Sequence, residues 1–260
     1  MPVYIVTHKK YNRFTTDPCY KNVQVGAYRG HLDGASYFYD DDGDNISARN
    51  PNYCELTGLY WIWKNRLPED REKENYVGLV HYRRYFSDSF SGKKALSDGK
   101  IKRYLGKGDI ILPFNNVDPR TVQVMYCDNS GFQSDLDKVR RILKDKYPEY
   151  VQDYDLFLKG HDNYFFNMFI TTPELLEGYC GWLFDILFTL ESETDLTNYN
   201  AYQKRIYGFM SERLLNVWVR HNHLKVVEVS VVNSEEKEGR VKEIMKGLKR
   251  VLCSGRGRQY

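Results

Sequence analysis

An α/β fold, a mixed sheet flanked by helices in one domain, is what the sequence predicts, and three observations predict it. Short apolar runs rich in β-branched residues end abruptly in polar groups, as strands buried on both faces do. Segments of helical periodicity alternate with these runs. No internal repeat and no low-complexity linker divides the chain.

The elements follow in order. Val3–Thr7 is a short strand that delivers His8, Lys9 and Lys10 at its end. Residues 40–45, Asp-Asp-Asp-Gly-Asp-Asn, form an acidic turn, and residues 47–50 lead into Pro51, which suits the first turn of a helix reaching about residue 65. Tyr53, Leu56, Leu59, Tyr60 and Trp61 cover nearly all sides of that helix. It is therefore expected to be buried, which makes Glu55 and Thr57 polar passengers in need of partners. The run from Tyr76 is the central strand, and it stops in His81, Tyr82, Arg83 and Arg84. Residues 87–100 read as a loop entering a helix, and residues 109–113 as another buried strand. Helical periodicity marks residues 136–147 and 174–190, the second opening on Pro173. Between them, residues 164–171 read as a strand interrupted by Asn167. Residues 211–219 form a further helix that opens with Ser211 and Glu212, and residues 226–232 a last strand.

Composition narrows the class. Hydrophobic residues at 42% and aromatics at 15%, with 22 Tyr and 13 Phe among 260 residues, exclude a disordered chain. No segment approaches the roughly 18 apolar residues of a membrane span, and no basic, apolar and cleavable leader opens the chain, so a cytoplasmic location is expected. The five Cys lack zinc-finger or Cys-x-x-Cys spacing and read as reduced thiols. From Glu235 to Tyr260 eight Lys or Arg face four Glu, whereas the first 234 residues hold 30 basic against 31 acidic groups. Val241, Ile244, Met245, Leu248, Val251 and Leu252 share one helical face of this basic tail. Such a helix either lies on an anionic membrane surface or docks on its own domain with a solvated back. The organisation expected is a domain over residues 1–233 and a basic amphipathic helix and tail over 234–260.

In open α/β sheets, ligands lie beyond the carboxyl ends of the strands, so the cations after residue 80 point at an anionic ligand. Forked guanidinium groups match phosphate oxygens in pairs, which suits a diphosphate. The alternative is a solvated strand end whose arginines pair with nearby carboxylates. The chain has no Gly-x-Gly-x-x-Gly, no Walker loop, no Gly-x-Ser-x-Gly elbow and no His-Glu-x-x-His. Dinucleotide oxidoreductases, P-loop enzymes, serine hydrolases and zinc proteases are thereby disfavoured.

Six stretches occur in an order that resembles a known family: Gly-Asp-Asn-Ile-Ser (43–47), Asn-Pro-Asn-Tyr-Cys-Glu-Leu-Thr-Gly-Leu-Tyr-Trp-Ile-Trp-Lys-Asn (50–65), Val-Gly-Leu-Val-His-Tyr-Arg-Arg-Tyr-Phe (77–86), Asn-Met-Phe-Ile (167–170), Tyr-Cys-Gly-Trp-Leu-Phe-Asp-Ile-Leu (179–187) and Ser-Glu-Arg-Leu-Leu-Asn-Val-Trp (211–218). Over about residues 3–233 the chain is similar to a domain-of-unknown-function family of bacterial capsular and exopolysaccharide biosynthesis proteins. The resemblance implies glycosyltransferases of GT-A-like, Rossmann-like fold that use nucleotide sugars, some of them transferring galactofuranose.

On the GT-A plan, Thr7, His8 and Lys9 would border the nucleotide, and His81, Tyr82, Arg83 and Arg84 would stand where most such enzymes place a metal-binding Asp-x-Asp. With no carboxylate pair there, Arg83, Arg84 or His81 would neutralise the leaving diphosphate, and no metal cofactor is expected. The alternative is that Asp41, Asp42 and Asp44 bring a cation. Asp44, Asn45 and Glu55 are candidates for contacts to ribose or sugar, and His161, Asn167 and Met168 for contacts to the acceptor. An inverting transferase needs a base beside the acceptor hydroxyl. Glu212 is the first choice and Asp162 the second; a retaining enzyme would need neither, and a first-turn carboxylate is also favoured simply by the helix dipole. The expected function is transfer of a hexose, galactose or galactofuranose among the possibilities, from a UDP-sugar to a lipid-linked or oligosaccharide acceptor at the inner face of the plasma membrane. A non-catalytic sugar-nucleotide scaffold or sensor is the alternative. Nucleic acid is not an expected partner, because the body of the chain is slightly acidic.

Overall fold

A computed structural model of the protein describes residues 2–33, 37–67, 75–88 and 94–235. The first half contains strands β1 (Val3–Thr7), β2 (Tyr20–Gln24), β3 (Tyr37–Tyr39), β4 (Val77–His81) and β5 (Arg84–Phe86), with helices α1 (Asn50–Tyr53) and α2 (Leu56–Trp61) between β3 and β4. Helix α3 (Asp98–Leu105), strands β6 (Ile110–Pro113) and β7 (Asn116–Val117), and helices α4 (Val122–Asn129), α5 (Gln133–Lys146) and α6 (Val151–Lys159) follow. The chain continues through β8 (Asp162–Asn163), β9 (Phe169–Thr171), α7 (Pro173–Ser192), α8 (Ile206–His221), β10 (Val226–Val229) and β11 (Val231–Asn233).

The main sheet runs β10-β6-β9-β4-β1-β2-β3, with β5 folded back on β4 and paired to β11; β7 and β8 make a separate ribbon. β1 lies parallel to both β2 and β4, β2 is parallel to β3, and β6 is parallel to β10, whereas β9 runs antiparallel to β4 and β6. The sheet is thus mixed but mostly parallel, as the sequence leads one to expect.

Side-chain alternation divides the core. From β1, Tyr4 and Val6 enter a large apolar cluster with α2, α7 and α8, while Val3 and Ile5 enter a smaller one with Tyr20, Val80, Tyr85 and Phe86. Both faces of β1 are buried, which explains its unbroken apolar run. Two close approaches require glycine. A Cβ on Gly58 would sit 2.8 Å from Val25 Cγ1 and 2.9 Å from Val6 Cγ1, so α2 lies directly on the sheet; one on Gly78 would lie 2.7 Å from Ile170 Cγ1 between β4 and β9.

Several boundaries differ from expectation. The helix from Pro51 to about residue 65 breaks at Cys54, whose φ of 54° and ψ of −128° are non-helical, and it resumes as α2 before a π-helical turn at Ile62–Arg66. The strand expected over 164–171 shrinks to β9 because Phe166 and Asn167 hold φ of 82° and 49°. The helix expected at Ser211 begins at Ile206, which puts Glu212 in the second turn and removes the first-turn dipole explanation for it. The strand expected over 226–232 divides into β10 and β11. β2, β3 and α6 were not legible in the sequence. The amphipathic segment 241–252 lies outside the described residues. No helix among the described residues is long and apolar enough to cross a membrane.

Candidate active site

The carboxyl ends of β1 and β4 open into a cleft of about 820 Å³. Thr7 closes β1: its Oγ1 donates to the Lys9 carbonyl at 2.6 Å and accepts from the Lys9 amide at 3.2 Å, a turn that swings His8 over the sheet edge. The His8 ring meets the Tyr82 ring edge-on at 5.5 Å, and partial burial, followed by the charges of Lys9 and Arg83, holds its pKa below the ordinary value. At the end of β4, His81 Nε2 lies 2.6 Å from the Phe166 carbonyl, so it carries the proton and donates there. Burial takes the His81 pKa down to about 4. The ring is therefore neutral near pH 7, and the cationic work at this edge falls to the arginines.

Five arginines line the cleft: Arg83, Arg84, Arg120, Arg205 and Arg213. Arg83 lies 4.0 Å from Glu235, and the Arg84 guanidinium carbon stands 4.5 Å from the centre of the Phe166 ring. Arg120 is tied to Asp118 and Asp128. Arg205, just before α8, sits 5.6 Å from the Tyr202 ring and 5.2 Å from the Phe209 ring, and its Nε donates to Cys54 Sγ at 3.2 Å. Arg213 is only 3% exposed. Its Nη1 donates to the Phe209 carbonyl at 3.0 Å and to Glu212 Oε2 at 2.9 Å, and among the described residues its buried Nε has no partner.

Two further carboxylates, Glu55 and Glu212, face these cations. Both hang on the left-handed dipeptide Phe166–Asn167: the Phe166 amide donates to Glu212 Oε1 at 2.9 Å, and Asn167 Nδ2 donates to Glu55 Oε1 at 2.6 Å. Asn167 is 2% exposed and fully used, since Nδ2 also donates to the Gly208 carbonyl and Oδ1 accepts from Ser211 Oγ at 2.7 Å. Burial raises the pKa of Glu55 against the opposing hydrogen bond from Asn167 and the charges of Arg205 and Arg84. Burial likewise raises that of Glu212, with Arg213 opposing and Glu55 adding. The strained backbone at 166–167 therefore holds a neutral imidazole and two reluctant carboxylates in one place.

The cleft brings together Thr7, His8, Glu55, His81, Tyr82, Arg83, Arg84 and Glu212 from the sequence candidates. Lys9 stands beside it, 3.3 Å from Glu235 and with Nζ 4.9 Å from the centre of the Tyr82 ring. The other candidates are elsewhere. Asp44 accepts from the Tyr60 hydroxyl at 3.0 Å, which ties its loop to α2, and Asn45 Nδ2 donates to the Asp41 and Gly43 carbonyls within the loop. Asp162 is exposed on β8 and accepts from Asn115 Nδ2 at 2.8 Å, while the His161 carbonyl accepts from the Asp118 amide. Asn167 lies beneath the cleft floor, and Met168 is wholly buried in the smaller core cluster. Asp41 pairs with His31 at 3.0 Å, and no group of three His, Cys, Asp or Glu among the described residues is arranged to hold a metal ion. Arg205, Arg213 and Cys54 escaped sequence reasoning; the Ser-Glu-Arg run at 211–213 was the one available sign of Arg213.

No curated protein matches the chain. Among solved structures it is similar to the apo form of WbbM, a bifunctional glycosyltransferase, at 29% sequence identity and a TM-score of 0.76. That match covers 90% of this chain and 45% of the other, so the chain spans less than half the length of WbbM. Residues 2–223 match the domain of unknown function DUF4422, and the chain belongs to that family.

Proposed function

We propose that the protein is a glycosyltransferase that moves a hexose from a UDP-sugar to a lipid-linked or oligosaccharide acceptor in capsular or exopolysaccharide synthesis. The observation that carries this reading is the convergence of five arginines and two carboxylates of raised pKa in one cleft beyond the ends of parallel strands. Guanidinium groups supply the charge that a departing diphosphate needs, and a carboxylate in a poorly solvated place is basic enough to take a proton from a hydroxyl. The similarity to WbbM supports the same class of reaction.

Arg83, Arg84 and Arg205 neutralise the diphosphate in this reading, so the transfer runs without a metal. Asn116, Asn129 and Ser130, which also line the cleft, offer the amides and hydroxyl that suit an acceptor sugar. The basic amphipathic segment 241–252 brings the enzyme to an anionic membrane surface, where a lipid-linked acceptor resides. The test is titration calorimetry with UDP, followed by transfer assays with UDP-galactopyranose and UDP-galactofuranose on a simple galactoside. Micromolar UDP binding and a glycosylated product are expected; absence of both rules the function out.

A further inference from the structure

The two cleft carboxylates differ in what they have left to offer. Glu212 gives one oxygen to the Phe166 amide and the other to Arg213 Nη1, each at 2.9 Å, in a contact where the arginine is almost completely buried. A carboxylate with both oxygens engaged in this way is fixed in one orientation and has neither oxygen turned to a ligand. Glu55 is different. Its Oε1 is fixed by Asn167, the further donor to the carboxylate is its own backbone amide, and among the described residues no cation lies at ion-pair distance. Cys54, at positive φ immediately before it, breaks the helix at this point, and Glu55 lines the cleft.

We propose that Glu55 is the proton acceptor of the transfer reaction and that Glu212, locked to Arg213 and Phe166, is the positioning residue that anchors the floor beneath it. The assignment rests on the transferase reading. In the step, the acceptor O–H bond breaks and its proton passes to Glu55 Oε2. The acceptor oxygen forms a bond to the anomeric carbon as the bond from that carbon to the β-phosphate oxygen breaks. The electron pair leaves with UDP, and the anomeric configuration inverts. The groups facing Glu55 are Arg84 from β5, Arg205 and Glu212 from around α8, and the neutral Asn167, Cys54 and His81. Burial dominates over these charges and keeps its proton affinity above that of an exposed glutamate.

The experiment compares the full-length wild-type chain with Glu55→Gln, Glu55→Asp and Glu212→Gln, using UDP-galactopyranose or UDP-galactofuranose and octyl β-galactoside, with UDP affinity and Tm measured on each. The Glu55→Gln variant is expected to lose about 10²- to 10⁴-fold in kcat with UDP affinity unchanged, and to lose the acidic limb of the kcat–pH profile. The Glu55→Asp variant should recover part of the rate and keep that limb. Glu212→Gln should lower Tm and retain the limb. A Glu55→Gln variant as active as an active wild type, or a product that retains anomeric configuration, overturns the assignment alone. A wild-type chain that binds UDP and transfers nothing overturns the transferase reading and the assignment with it.

Discussion

Asn167 reaches across 112 residues of sequence to donate its amide to Glu55 at 2.6 Å, and the same side chain accepts from Ser211. One amide therefore ties the kinked segment before α2 to the interior of α8. Both ends of that amide are satisfied away from bulk water, so removing it orphans polar groups rather than merely deleting a contact. Asn167→Ala is expected to destabilise the fold by about 1–3 kcal/mol. Asn167→Asp should cost more, because a third carboxylate would face Glu55 without a donor to offer it. Urea unfolding of the three chains tests the order wild type, Ala, Asp.

The histidine at the end of β4 gives the protein an acid-sensitive element. Its pKa in the fold, about 4, lies below the ordinary 6.5, so the native state resists protonation and the unfolded state does not. The stability it contributes is complete above pH 6.5 and is lost as pH falls from there toward 4. His81→Gln, which can still donate to the Phe166 carbonyl, should flatten the dependence of Tm on pH in that window. A variant whose Tm falls between pH 6.5 and 4 as steeply as that of the wild type contradicts this.

Glu55 acts in the opposite sense. Its pKa in the fold is raised, so its favourable contribution is present below the ordinary carboxylate value and is lost as pH rises through the folded one. In its ionised form the group costs stability. Glu55→Gln is expected to raise Tm at pH 8 relative to wild type and to leave Tm at pH 4 nearly unchanged, as differential scanning fluorimetry across pH would read.

The arginines make a separate prediction. Arg84→Met and Arg205→Met should each weaken UDP binding by roughly 10- to 100-fold, the range expected when one charge-assisted pair of hydrogen bonds is lost. Calorimetry at low and high salt distinguishes this from misfolding, since each variant should also show a shallower salt dependence. Uridine, which lacks phosphate, should bind all three chains equally.

Transfer in excess chelator should proceed at the untreated rate. The charge that a divalent ion would otherwise provide is already present as guanidinium groups along the cleft. Loss of activity under EDTA that manganese restores would show that the acidic loop or another group recruits an ion.

Part of this arrangement is legible in the sequence because strand ends are. Apolar runs that stop in Thr7-His8 and in His81-Tyr82-Arg83-Arg84 place those side chains on one edge of a parallel sheet, whichever helices cover it. Glu55 stood out as a polar residue in an otherwise apolar helix, and Glu212 as a carboxylate at an expected helix start. Cys54 could not be read: a non-glycine residue in the left-handed region is imposed by tertiary packing, and no local pattern announces it. Asp162 and His161 read as near neighbours of Asn167, yet the ribbon of β7 and β8 turns them outward, and strands of two residues carry no periodicity to reveal that. Arg205 and Arg213 look like ordinary solvated charges until the folded rings of Tyr202, Phe209 and Tyr126 are seen around them.

The reversed direction of β9 has a consequence for how the cleft was assembled. Parallel strands contribute to this rim only what comes after them: His8 after β1, and Tyr82 to Arg84 after β4. β9, inserted head-to-tail between β4 and β6, presents there what comes before it, the Phe166–Asn167 corner. Upstream and downstream loops thus meet at a single edge, and a strand of ordinary polarity in that slot would carry the corner to the far side of the molecule, parting Glu55 and Glu212 from their common support.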